Sequence, residues 1–111
     1  MISRRFIEDK IPNSVREVIN NYLKSLEAHH IRIRKVVLFG SYATGKADEW
    51  SDIDIALVSD DFEGDWFEDK NRIRRLTLAV DNRLSPLPYR SESLLAPDPF
   101  FKKILETGIA I

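Results

Sequence analysis

The sequence predicts a small α/β (α+β) domain in which one mixed β-sheet is flanked by helices. Three observations predict it: a segment near the N-terminus with apolar residues at helical spacing, two short apolar runs that suit buried strands, and a charged amphipathic segment after the second run. An extended segment and a short helix follow, so the expected order is α-β-α-β-α-β-α around one sheet.

The first helix is predicted from about Ser14 to Ala28. Ser14 and Glu17 have the spacing of a capping box, which places the start of the helix at Ser14. The apolar residues that recur at helical spacing are Val15, Val18, Ile19, Tyr22, Leu23 and Leu26.

Two strands with a turn between them follow this helix. The run Val36 to Phe39 suits a strand buried on both faces, and Gly40 to Gly45 then predicts a turn that opens a very short helix. The run Ile53 to Val58 is the second strand, and the acidic segment Ser59 to Asp65 is predicted to be an exposed loop.

A second long helix is predicted after this loop, because its residues divide into an apolar and a charged set. Trp66, Phe67, Ile73, Leu76 and Val80 are expected to cover one face, and Asp69, Lys70, Arg72 and Arg75 to face water.

An extended segment from Asp81 to Tyr89 comes next, and Pro86 and Pro88 restrict it to a sheet edge or to an early end. Asp98 and Pro99 predict the start of a last helix, with Asp98 as its cap. Gly108 is predicted to end that helix, before a short apolar tail at 109–111.

Composition limits the possible function classes. The chain has 111 residues and is 43% hydrophobic, which suits a single domain over 1–111. Its 17 basic and 18 acidic residues nearly cancel, so binding to nucleic acid is not expected. Cysteine is absent, the first ten residues do not have the pattern of a signal peptide, and no apolar run approaches the roughly 20 residues that span a bilayer. We therefore expect a cytoplasmic protein that does not cross a membrane.

Asp52 and Asp54 are the candidate metal ligands. Alternate residues of a strand point to the same face, so both carboxylates project to one side, with Cα atoms about 6.5 to 7 Å apart. Carboxylate oxygens of this kind suit Mg²⁺, or Mn²⁺ in its place. Taken alone, such a pair is more often simply solvated.

Gly40 and Ser41 are the candidate phosphate-binding residues. A buried strand that runs through a glycine into a helical turn leaves backbone N–H groups free to meet a phosphate, and Ser41 adds a hydroxyl. Alone, Gly40 would merely permit a tight turn that Ser41 caps. A phosphate site beside a carboxylate pair is what phosphoryl transfer requires.

This segment resembles the minimal nucleotidyltransferases of the DNA polymerase beta superfamily. The resemblance rests on the sequence from Leu38 to Gly45, followed after a short spacer by Ser51 to Ile55. It implies that Gly40 and Ser41 hold the phosphates of a nucleoside triphosphate, expected to be ATP, and that Asp52 and Asp54 hold the metal. It also implies a helical partner protein, as in toxin and antitoxin pairs.

The resemblance implies a third carboxylate on a later strand, and two registers are possible. In one, Asp81 is that acid; in the other, Ser85 stands where the acid belongs, an alternative that the spacing to Pro86 favours. The two positions lie roughly 13 Å apart along a strand and cannot replace each other.

The leading hypothesis is an enzyme that transfers a nucleoside monophosphate to a hydroxyl, with Asp52 and Asp54 as its catalytic carboxylates. The alternative is a degenerate member that binds nucleotide or another protein without turnover, and Ser85 is its support in the sequence. The acceptor, the preferred base and the oligomeric state are open.

Overall fold

The computed structural model describes residues 11–111. The expectation about a signal peptide concerns residues 1–10, outside this range. In chain order the elements are α1 (Asn13–Ala28), β1 (Lys35–Phe39), α2 (Ser41–Thr44), β2 (Ile53–Val58), α3 (Trp66–Val80), β3 (Leu84–Tyr89), a 3-10 turn (Ser91–Leu94), α4 (Pro99–Thr107) and β4 (Ile109–Ala110).

The strands form one mixed sheet in the order β3-β2-β1-β4, which confirms the predicted fold class. β1 is antiparallel to β2 and to β4, whereas β2 and β3 are parallel. β4 was not predicted: the tail residues Ile109 and Ala110 pair with Leu38 and Val37. Two residues are too few to show an alternating pattern in the sequence, so this strand is defined only by its hydrogen bonds to β1.

One face of the sheet is covered by α1 and α3. Val15, Ile19, Tyr22 and Leu26 of α1 are buried there against β-strand residues such as Leu38 and Ile55. The predicted capping box is wrong. The helix begins at Asn13 after Pro12, whose carbonyl accepts the N–H groups of Val15 and Arg16, so Ser14 lies within the first turn and caps nothing.

The opposite face of the sheet is covered by α4, whose Phe101 and Ile104 are buried against Val37, Ala56 and Val58. The predicted start of α4 is confirmed, since Asp98 Oδ1 accepts the N–H of Phe101 at 2.8 Å. Gly108 ends the helix as expected. Alternation along β2 places Asp54 on this α4 face, together with Ala56 and Val58.

β3 forms one edge of the sheet, which confirms the position expected from its prolines. Hydrogen bonds from the N–H of Ile53 to the Arg83 carbonyl and from the N–H of Ser59 to the Tyr89 carbonyl fix the parallel register. In that register the backbone nitrogens of positions 86 and 88 point away from β2. Pro86 and Pro88 therefore remove no hydrogen bond from the sheet.

The helix α3 has the predicted position, but two parts of its predicted face are wrong. Trp66 and Phe67 are 53% and 65% exposed, because the buried side of the helix starts only at Asp69 and continues through Ile73 and Thr77. Asp69, expected in water, is buried, and its carboxylate accepts the N–H groups of Glu63 and Gly64 at 2.8 and 2.9 Å. It thereby fastens the preceding loop to the helix. Within residues 11–111, every helix is too short or too polar to cross a bilayer.

Candidate functional site

The site is built around the turn between β1 and α2. Gly40 has φ 72° and ψ −147°, a conformation that only glycine adopts without strain. Its carbonyl accepts the N–H groups of Ala43 and Thr44 at 3.1 and 3.2 Å, which closes the helical turn. The N–H groups of Ser41 and Tyr42 make no hydrogen bond within the described part of the chain. Among residues 11–111, the start of α2 thus has two N–H donors without an acceptor.

Asp54 lies on β2 directly opposite Phe39, the residue before this turn. Partial burial raises the pKa of the Asp54 carboxyl, the negative charge of Asp52 raises it further, and hydrogen bonding from the Ser85 side chain partly offsets both effects. The two carboxylates are therefore close enough for the charge of Asp52 to affect the ionisation of Asp54.

Gly40 and Asp54 are in direct contact. A Cβ atom at position 40 would overlap Asp54 Oδ2 and would lie 3.1 Å from Asp54 Cγ. Glycine is therefore required here for two reasons, the backbone conformation and the space taken by the carboxylate. The turn at Gly40 and the carboxylate of Asp54 therefore adjoin each other.

Ser85 of β3 lies opposite Asp54 on the other side of β2. Of the two registers that the sequence leaves open, the structure therefore adopts the one with Ser85 beside the carboxylates. Asp81 ends α3 and forms an ion pair of 3.0 Å with Arg83, which holds the pKa of Asp81 below its usual range. Within residues 11–111, no three acidic or histidine side chains come together as a metal site, so Asp81 does not join Asp52 and Asp54.

Sequence reasoning missed the residues that hold the loop between α2 and β2. The buried Tyr42 donates its hydroxyl to the Asp48 carbonyl at 3.2 Å, and Asp48 Oδ1 accepts the N–H of Trp50 at 2.8 Å. Ser51 Oγ in turn accepts the N–H of Asp48 at 2.9 Å. The loop therefore reaches Asp52 in a fixed turn. An Asp with a Ser three residues later is the signal that could have indicated it.

The donor set fits a divalent cation. The negative charge of Asp52 raises the pKa of Asp54, so this part of the site favours a cation, and neither carboxylate forms an ion pair with any described residue of the chain. One or two carboxylates are also the ligands that Mg²⁺ usually takes from a protein, together with substrate phosphates and water.

Residues 17–105 match the nucleotidyltransferase domain family. The chain belongs to this family. The match includes β1, β2 and the turn between them. It confirms the resemblance to nucleotidyltransferases that the motif indicated.

Two individual proteins are similar to this nucleotidyltransferase domain. A protein of Methanocaldococcus jannaschii, assigned as a protein adenylyltransferase, is 45% identical over 49 residues, which are 42% of this chain and 49% of that protein. The chain thus matches about half the length of this relative. A Sulfolobus solfataricus crystal structure, assigned as a nucleotidyltransferase, is 18% identical with a TM-score of 0.49, covering 89% of this chain and 86% of that one.

Proposed function

We propose that this nucleotidyltransferase domain binds ATP with Mg²⁺ or Mn²⁺ and transfers the nucleoside monophosphate to a hydroxyl group, on a partner protein. The observation that carries the proposal is the contact between Gly40 and Asp54, because it joins a phosphate-binding turn to a carboxylate pair. The name of the M. jannaschii relative supports both the adenine nucleotide and the protein acceptor.

Each residue of the site has a separate task in this proposal. The N–H groups of Ser41 and Tyr42, with the Ser41 hydroxyl, bind the outer phosphates and hold the pyrophosphate as it leaves. Asp52 and Asp54 hold the metal, which when bound would neutralise charge on the reacting phosphate. Gly40 keeps the two groups in contact. The loop fixed by Tyr42 and Asp48 keeps Asp52 in position.

The test is incubation with ATP labelled on the α-phosphate and Mg²⁺, with and without the product of the adjoining gene, the first candidate for a helical partner. We expect label to be transferred by the wild type and not by Asp54→Ala. Glu106→Gln, which removes an exposed carboxylate on α4, is the control and is expected to behave as wild type. Equal labelling by Asp54→Ala, or none by the wild type in either mixture, would refute enzymatic transfer.

Ser85 supports a second candidate function. A hydroxyl stands opposite Asp54, where the family resemblance implies an acid, so the domain would bind nucleotide and a partner without turnover. Calorimetry distinguishes the two functions. Metal-dependent binding of ATP without any labelled product favours this second function, whereas a labelled product excludes it.

A further inference from the structure

Asp81 and Arg83 form a bidentate ion pair where α3 ends and β3 begins. Arg83 Nε lies 3.1 Å from Asp81 Oδ1, and Arg83 Nη2 lies 3.0 Å from Asp81 Oδ2. Asp81 Oδ1 also accepts the backbone N–H of Arg83 at 2.8 Å. The two side chains are 19% and 29% exposed, so water screens this pair only in part. Three hydrogen bonds and partial burial therefore fix the start of β3.

The main chain of Arg83 holds the strand that carries the carboxylates. The carbonyl of Arg83 accepts the N–H of Ile53 at 2.8 Å. Ile53 is the residue between Asp52 and Asp54, and its side chain is fully buried. The backbone of Arg83 therefore fixes the main chain between the two carboxylates, and the ion pair with Asp81 fixes the backbone of Arg83.

The side chain of Arg83 also reaches α2, through Tyr42. Hydrogen bonds to Asp81 raise the pKa of the Arg83 guanidinium, and a hydrogen bond with the Tyr42 side chain raises it further. A guanidinium only donates, so the Tyr42 oxygen accepts this bond, and its own proton is used on the Asp48 carbonyl at 3.2 Å. Tyr42 also carries one of the two N–H donors at the start of α2. The ion pair is thus connected to α2 and to the loop that leads into β2.

We propose that Asp81 and Arg83 are positioning residues of the metal and nucleotide site, and that their ion pair sets the place of the carboxylate segment relative to α2. The inference rests on the proposed function, in which that segment holds the metal. Among the described residues, Asp81 belongs to no group of side chains that could hold a metal ion. It acts through Arg83, which contacts both Ile53 and Tyr42. Asp81 therefore serves the site without being its third carboxylate.

A second ion pair of the chain supplies a matched control, because it joins the same kinds of atoms without touching the site. Arg90 and Glu92 have the same spacing of two residues, with Arg90 Nε 2.7 Å from Glu92 Oε2 and Arg90 Nη2 3.2 Å from Glu92 Oε1. They follow Tyr89, which pairs with Val58 at the far end of β2 from Ile53. A purely structural role of such a pair at an end of β3 is common to both, whereas contact with the site belongs to the first pair alone.

The experiment measures binding of Mn²⁺ without nucleotide, by electron paramagnetic resonance of the free ion. The test variant is Asp81→Asn with Arg83→Gln, and the control is Arg90→Gln with Glu92→Gln. Each double change removes one negative and one positive charge, so the net charge of the chain stays at −1 and the general attraction for a cation is kept. A third variant, Tyr42→Phe, keeps the buried ring and removes only the hydroxyl that connects Arg83 to the loop. Circular dichroism checks that each protein is folded.

We expect the Kd for Mn²⁺ to rise about tenfold in the test variant and about threefold in Tyr42→Phe, because residues that orient metal ligands change metal affinity by roughly 10- to 100-fold. The control is expected to bind Mn²⁺ as the wild type does. Thermal unfolding of each protein distinguishes a loss of stability from a loss of affinity. Unchanged affinity in the test variant, or an equal loss in the control, would overturn the inference. If the test variant does not fold, Tyr42→Phe decides, and wild-type affinity in it would overturn the inference.

Measuring metal affinity separates this inference from the proposed function. A loss of Mn²⁺ affinity confined to the test variant and Tyr42→Phe, with no label transferred by the wild type, would support the positioning role and refute the transferase function alone. Transfer of label by the wild type, with unchanged Mn²⁺ affinity in the test variant, would overturn the inference and leave the function standing. Absence of Mn²⁺ binding by the wild type would overturn the inference together with the metal site.

Discussion

The hydroxyl of Tyr22 in α1 donates a buried hydrogen bond to the hydroxyl of Thr77 in α3. The two oxygens are 2.7 Å apart, and the single proton of Thr77 is used on the Ile73 carbonyl at 2.9 Å, so Tyr22 must be the donor. Burial raises the pKa of Tyr22 to about 12. The two helices that cover one sheet face are thus joined by a bond that requires neutral tyrosine.

This bond predicts an alkaline loss of stability. An unfolded tyrosine titrates near pH 10 and the folded one near 12, so the folded state holds the proton in this window and the free energy of unfolding falls as pH rises through it. We expect Tyr22→Phe to cost about 1 kcal/mol at pH 7 and to remove a loss on the order of 2 kcal/mol between pH 10 and 12. Urea unfolding at pH 7 and across pH 10 to 12 measures the free energy of unfolding of both proteins. The same dependence of that free energy on pH in the wild type and in Tyr22→Phe would contradict the prediction.

The contact between Gly40 and Asp54 predicts that position 40 cannot carry a side chain. Gly40→Ala is expected to abolish binding of ATP-Mg²⁺, because the new methyl group takes the space of the carboxylate. Gly45→Ala is the matched control. Gly45 also has a positive φ, of 75°, but nothing lies within 4 Å of an added Cβ, so that variant is expected to lose about 1 kcal/mol of stability and to keep binding. Calorimetry measures the binding of ATP-Mg²⁺ to both variants. Equal loss of binding in Gly40→Ala and Gly45→Ala would contradict the prediction.

The carboxylate pair predicts opposite effects of one substitution on stability and on metal binding. Partial burial and the charge of Asp52 both disfavour the negative charge of Asp54, and Asp54→Asn removes that charge. Without metal, the Tm is therefore expected to rise by about 1 to 3 °C at pH 7. Added Mg²⁺ is expected to raise the Tm of the wild type and not that of the variant. Thermal unfolding with and without Mg²⁺ measures both effects. An equal rise in Tm on adding Mg²⁺ to the wild type and to the variant would argue against a metal at Asp54.

The position of Ser85 predicts that an acid placed there will join the pair. Ser85→Asp is expected to bind Mn²⁺ about tenfold more tightly, because a third carboxylate then faces the metal, and to destabilise the metal-free fold by repulsion. Ser85→Asn, of similar size and without charge, should show neither effect. Electron paramagnetic resonance of free Mn²⁺ gives the affinities; unchanged affinity in Ser85→Asp would place the metal away from β3.

The buried carboxylate of Asp69 predicts that the loop before α3 depends on it. Asp69→Ala removes the acceptor for the N–H groups of Glu63 and Gly64, and is expected to cost about 1 to 3 kcal/mol and to expose those two amides to hydrogen exchange. Asp60→Ala, on the exposed side of the same loop, is the comparison and should leave both amides protected.

The features predicted correctly from the sequence are those that neighbouring residues determine. The strand, glycine and short helix around Gly40 follow from local pattern. The prolines correctly placed β3 at an edge, because the missing N–H groups are a property of those residues themselves.

The features that were missed or left open depend on contacts between distant segments. β4 exists only through its pairing with β1, and the choice between Asp81 and Ser85 depends on the register of β3 on β2. Asp69 was wrongly expected in water because helical spacing does not reveal backbone donors from a folded loop. Trp66 was wrongly expected in the core because helical spacing does not show at which turn of α3 burial begins, which is at Asp69.

Pro86 and Pro88 also affect how this domain meets other molecules. A foreign strand adds to a sheet by pairing with donors along its outer edge, and at β3 the nitrogens of both prolines face that edge without a hydrogen. The opposite edge, β4, is only two residues long. Both edges of the sheet are therefore poor templates for edge-to-edge aggregation, and a partner protein is not expected to bind by adding a strand to this sheet.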